Sequence, residues 1–147
     1  MKGIKHFFLR ECKEHGVSVK VGNKWQCHGD NIVVPEQKTD QDVFFGFHEL
    51  AHAVLHKDDK RNYDDLKSRI DIELEADKWA HERMQFHKTP CKINIATLGL
   101  IALYLHEGGT MENYSIKLEN RFVILYYFGF ELYSNFISNL PVHPPLY

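Results

Sequence analysis

Residues 44–56 read FFGFHELAHAVLH, and the five at the centre, His48-Glu49-Leu50-Ala51-His52, form the pattern H-E-x-x-H. Side chains four positions apart stack on one face of an α-helix, so His48 and His52 can grip one metal ion from successive turns. Glu49 lies one step round the helix. There it cannot share that coordination, but it can reach a water on the open side of the ion, as a general base must. A shuffled chain of this composition would give about 0.05 such matches. The surroundings add weight, because Val43, Phe44, Phe45, Phe47, Leu50, Ala51, Ala53, Val54 and Leu55 make the segment apolar nearly all round, the mark of a buried helix. Two histidines and a glutamate in such a helix need partners that offset their desolvation, and a divalent metal supplies them. The competing reading is a core helix whose histidines are satisfied by hydrogen bonds alone.

Outward from this stretch, the chain has the length and composition of one domain. It has 147 residues, 44% hydrophobic and 26% charged, enough to bury a core without staples. A net charge of −2 exerts no global pull on nucleic acid or an anionic membrane, so direct nucleic-acid binding is not expected. Cys12, Cys27 and Cys91 are odd in number, widely spaced and without C-x-x-C, which indicates neither a disulfide framework nor a thiolate zinc site and suits a reducing cytoplasm. The N-terminal residues lack the apolar core of a signal peptide. The longest apolar runs, residues 98–105 and 122–130, fall well short of the ~20 needed to cross a bilayer.

Residues 3–14 place Ile4, Phe7, Phe8 and Cys12 at helical spacing, with Gly16 as the stop. From residue 17 to 35 the period changes to two. Gly22-Asn23 and Gly29-Asp30 separate three β-rich runs, which predicts a short antiparallel meander ending at Pro35. Thr39 or Asp40 then caps the motif helix, with Asp42 favouring its N-terminus. Residues 57–65, KDDKRNYDD, read as an exposed charged loop. A helix resumes near Ser68 and ends by Thr89-Pro90; another starts at Asn94 or Thr97 and stops at Gly108-Gly109; an aromatic-rich one spans roughly 117–137, before a proline-rich tail. No linker divides the chain, so residues 1–147 read as one α+β domain.

A catalytic zinc takes three protein ligands and keeps one position for water. His56 lies eight residues from His48, about 80° round the helix, and cannot converge with the other two on one ion. The metzincin alternative requires a histidine six residues after the second ligand, preceded by a glycine, and Asp58 and Leu55 occupy those places. The next helix offers more. Glu73 and Asp77 are i and i+4, which permits Glu73 to bind the metal while Asp77 accepts a hydrogen bond from the far ring nitrogen of a ligand histidine. Ala76 and Ala80 are small enough to let this helix approach the motif helix, and Glu75 falls roughly on the opposite side. The competing reading is an ordinary surface helix with i,i+4 charge pairs.

H-E-L-A-H followed some twenty residues later by E-x-E-A-D-x-W-A resembles the ImmA/IrrE family of metallopeptidases, whose pattern is H-E-x-x-H with a downstream E-x-x-A-[DNS]-x-[FW]-A. The resemblance spans about residues 30–86. It implies a zinc ion held by His48, His52 and Glu73, Glu49 as general base, a small α+β domain of the zincin type, and a protein substrate such as a helix-turn-helix transcriptional repressor. The expected reaction is endopeptidase hydrolysis by metal-activated water. Tyr63, His81, His87 and His106 are chemically able to stabilise the oxyanion, and residues 31–34 could offer a strand edge to an extended substrate. The alternative function is a catalytically silent metal-binding protein that acts by interaction, or by homodimerisation, through a C-terminal part holding ten of the nineteen aromatic residues.

Overall fold

A computed structural model describes residues 2–92 and 94–108. The chain divides into two compact units, one of residues 1–62 with 71–92 and one of residues 63–70 with 93–147. In the first unit, helix α1 (Lys2–Glu14) buries Ile4, Phe7, Phe8 and Cys12, the four positions that its spacing places on one face. It ends as the Val17 N–H donates to the Cys12 carbonyl at 2.8 Å and the Gly16 N–H to Lys13 at 3.1 Å.

Strands β1 (Ser18–Val21), β2 (Gln26–His28) and β3 (Asn31–Val34) follow, but not as the expected antiparallel meander. Their order is β1-β3-β2, with β1 parallel to β3, Val19 opposite Ile32, and β2 antiparallel to β3, Cys27 opposite Ile32. Burial explains the change. β3 carries Ile32 and Val34, 0% and 2% exposed, whereas β1 leaves Val21 67% exposed and β2 buries no residue fully. The most aliphatic strand therefore takes the centre, where it is paired on both sides. Only the second turn signal makes a two-residue hairpin, with Gly29 at φ 60° between His28 and its partner Asn31.

Helix α2 (Asp40–Leu55) contains the H-E-x-x-H pattern. Thr39 caps it through a reciprocal box: the Asp42 N–H donates to Thr39 Oγ1 at 3.1 Å, and the Thr39 N–H to Asp42 Oδ2 at 2.9 Å. Phe44, Phe47 and Leu50 are fully buried, and Phe47 takes the rings of Phe7 and Phe8 at centroid distances of 5.6 and 5.2 Å. Gly46 is the point of closest approach, since a Cβ there would stand 2.4 Å from Gln37 Nε2 and 3.0 Å from Phe8 Cζ. Gln41 fastens the start of α2 to Lys92, donating to its carbonyl at 3.1 Å and accepting from its N–H at 2.7 Å.

Helix α3 (Leu66–Phe86) begins two residues before Ser68, because Asp65 Oδ2 accepts the Ser68 N–H at 3.0 Å and caps the first turn. Its Ala76, Asp77, Ala80 and Met84 are buried. Ala80 and Met84 share one apolar cluster with Phe44, Phe47 and Leu50 of α2. In the second unit, helix α4 (Ile95–His106) starts at Asn94, whose Oδ1 accepts the Ala96 N–H at 3.1 Å, and it buries Leu98, Ile101 and Ala102. The helix expected over 117–137 and the proline-rich tail lie outside the described residues. Four helices and a three-stranded mixed sheet among those described make a small α+β fold.

Candidate metal centre

His48 and His52 project from successive turns of α2, and Glu73 comes to meet them from α3. His48 Nε2 stands 3.0 Å from His52 Nε2 and 2.9 Å from Glu73 Oε2, and His52 Nε2 stands 3.4 Å from Glu73 Oε1. Donors held at ~2.0–2.1 Å from a tetrahedral ion lie about 3.3 Å from one another, close to all three separations. The chemistry agrees with the spacing: two imidazoles and a carboxylate suit a divalent ion of borderline softness. These three form a buried or half-buried group that could hold a metal ion.

The two rings are held from behind in different ways. His48 Nδ1 lies 2.6 Å from Asp77 Oδ1, and Asp77 is completely buried. His52 Nδ1 instead lies 3.0 Å from His56 Nδ1. His56 thus stays out of the ligand group, as its angle round the helix required, yet touches one member of it. Its Nε2 is 3.5 Å from Glu75 Oε1, and Glu75 receives both ends of the Arg61 guanidinium at 3.0 and 2.7 Å. Reading the helix as a wheel sets Glu75 apart from Glu73 and misses this. The i,i+4 spacing of His52 and His56, with an arginine in the following loop, was the available signal.

Without a metal, the group is held together by charge. Burial works against a proton on His48, but hydrogen bonds to Asp77 and Glu73 and their negative charge outweigh it and push its pKa up to about 10. Burial likewise opposes the charge on Glu73, and hydrogen bonds from His48 and His52 overcome it, holding the carboxyl well below the usual carboxylate range. A cation bound between them replaces the His48 proton.

Glu49 is 9% exposed, and burial raises its pKa; His48 and His52 pull in the opposite direction, Glu73 adds to the rise, and His28 opposes it. Strand β2 packs against α2, close enough for the Glu49 charge to help raise the Cys27 thiol's pKa and for His28 to act on Glu49. His28 escapes notice in the sequence because it belongs to no motif.

The oxyanion candidates are distributed differently. His81, two turns or about 12 Å along α3 from Glu73, rests on Phe44 at 4.7 Å with Nδ1 3.2 Å from Cys91 Sγ. His87 stacks on Phe7 at 5.4 Å and pairs with Thr89 Oγ1 at 3.0 Å. Tyr63 belongs to the second unit, where Arg69 lies over its ring at 5.0 Å. The His106 side chain lies outside the described residues. No described helix is long and apolar enough to cross a membrane. No protein-family model, curated protein or solved structure matches the chain. The site is therefore defined by its own geometry, as a His48–His52–Glu73 group able to hold a metal ion.

Proposed function

We propose that the chain is a zinc-dependent endopeptidase of the ImmA/IrrE kind, cutting a specific protein partner such as a helix-turn-helix repressor. One observation carries the reading: His48, His52 and Glu73 converge at ligand spacing, with a buried glutamate of raised proton affinity next in sequence to His48. Zinc, when bound, supplies Lewis acidity, polarising a carbonyl and lowering the pKa of a water towards ~7.

The chain's own residues do the rest. Glu49 takes the proton of the attacking water and gives it to the leaving amine, and a carboxyl whose pKa is raised towards the working pH performs both transfers well. Asp77 fixes the His48 ring. An extended substrate cannot add to β3, which is paired on both sides; β2 keeps one edge without a partner strand among the described residues, and β2 packs against α2.

The test compares wild type with Glu49→Gln. Wild type should carry one zinc per chain and cleave a candidate repressor, and Glu49→Gln should keep the zinc and lose at least 100-fold in cleavage rate, the scale of a general base. Unreduced cleavage by Glu49→Gln would overturn the assignment. A biological effect retained by that variant without cleavage would favour a binding protein instead.

A further inference from the structure

His52 is backed by a chain of contacts that the chemistry above does not use. We propose that His56 is the positioning residue for His52, and that Arg61, acting through Glu75, couples the metal group to Asp59 in the charged segment that follows α2. The inference rests on reading His48, His52 and Glu73 as metal ligands.

The hydrogen positions follow from that reading. His52 directs Nε2 at Glu73 and at His48, 3.4 and 3.0 Å away. A ring that offers the Nε2 lone pair to a metal carries its hydrogen on Nδ1. The atom facing His52 Nδ1 is His56 Nδ1 at 3.0 Å, so His56 accepts there and carries its own hydrogen on Nε2. That N–H is buried and makes no hydrogen bond. Glu75 Oε1 lies 3.5 Å from the nitrogen, so the link is one of charge alone and is the weakest of the chain. Glu75 is fixed in turn by the two-pronged contact of Arg61, and Asp59 holds Arg61 through Nε at 3.0 and 3.1 Å and through its backbone N–H at 2.9 Å. The direction of each hydrogen bond between His52 and Asp59 is thereby specified, with His56 Nε2 to Glu75 the one step made by charge rather than a hydrogen bond.

Burial gives the arrangement its force. The His56 side chain is 7% exposed, so water is a poor substitute for it, and an apolar replacement leaves the His52 Nδ1–H without an acceptor. A neutral acceptor also suits a site that already holds Glu49, Glu73 and Asp77, where another carboxylate against His52 would add repulsion. The outer links are different: Glu75 and Arg61 are 42% and 37% exposed and screened by solvent, so their effect should be smaller.

The experiment measures Zn²⁺ affinity by chelator competition in wild type, His56→Leu, His56→Asn and Arg61→Met, with circular dichroism of the metal-free proteins to verify folding. His56→Leu should bind about 10- to 100-fold more weakly, the usual cost of losing such a partner. His56→Asn should recover most of that loss, because its side-chain oxygen can accept from His52, and Arg61→Met should lose only a few-fold. A nitrogen–nitrogen scalar coupling across the His52 Nδ1–H···Nδ1 His56 hydrogen bond should be seen by NMR in zinc-loaded wild type, and this readout needs no variant to fold. Equal affinity in His56→Leu and wild type, no rescue by His56→Asn, or absence of the coupling would each overturn the inference. A wild type that binds no zinc would instead remove the metal reading beneath it.

Discussion

The two histidines of the metal group do the same job from the same helix, yet their surroundings differ. His48 leans on Asp77, a single completely buried carboxylate one turn along α3 from Glu73, so ligand and support share one rigid element. His52 leans on His56 at the C-cap of α2, and behind His56 stand Glu75 and Arg61, both in contact with water, and then Asp59. The lesson is that one half of the site is fixed by packing and the other by a chain that ends in a loop. The halves should respond differently to mutation and to salt.

The largest effect should come from the packed half. Asp77→Leu should weaken zinc binding by 10- to 100-fold and lower stability by ~1–3 kcal/mol, because the buried His48 Nδ1–H loses its charged acceptor. Asp77→Asn, which keeps an acceptor, should lose less of both. Calorimetric titration with Zn²⁺ and urea unfolding would separate the two quantities. Equal losses for Asp77→Leu and Arg61→Met would erase the distinction between the halves.

Next in size is a change that should touch both histidines alike. Gly46→Ala drives a methyl group into Gln37 and Phe8 at the closest packing point of α2 and should cost ~1–3 kcal/mol. If the helix is placed by its packing, metal-free stability falls while the His48 and His52 supports keep their relative strengths. A selective loss on one side would show that α2 pivots.

The effect that is smallest at neutral pH lies outside both chains of contacts. Burial pushes the Cys12 thiol up to about 12, whereas an unfolded chain's thiol titrates near 9. The folded state holds this proton more tightly, so the stabilisation is complete below about 9 and is lost as pH rises towards about 12, by at most ~1.4 kcal/mol per pH unit. Cys12→Ala should flatten the alkaline fall in urea midpoint without altering zinc affinity at neutral pH. An unchanged slope would mean that Cys12 is not the group being titrated.

The helices of the site were legible in the sequence because their chemistry repeats at helical spacing. His48 and His52, and again Glu73 and Asp77, are four apart, and in each pair the fold uses one face. The backing of His52 was less legible, since whether Glu75 turns towards His56 depends on where the loop brings Arg61, which no periodicity encodes. The sheet order was hidden for another reason. Gly22-Asn23 looks like a hairpin turn locally, but pairing is settled by which strand can be buried, and Ile32 and Val34 won the central place for β3. Nor does the capacity to donate a hydrogen bond reveal location: His81 and His87 are engaged with Phe44 and Phe7, while His28, in no motif, lies beside the motif helix.

The central position of β3 also orders events in time. The β2–β3 hairpin, closed by two residues, can form on its own within ~1–10 μs. β1 has no such shortcut, because its partner Asn31 lies beyond β2 in the chain and must be in place before Ser18 can pair with it. Until β1 docks, one edge of β3, with its aliphatic side chains, stays open to any passing strand. The nascent chain is therefore most exposed to mispairing at the strand that later becomes its best-protected one.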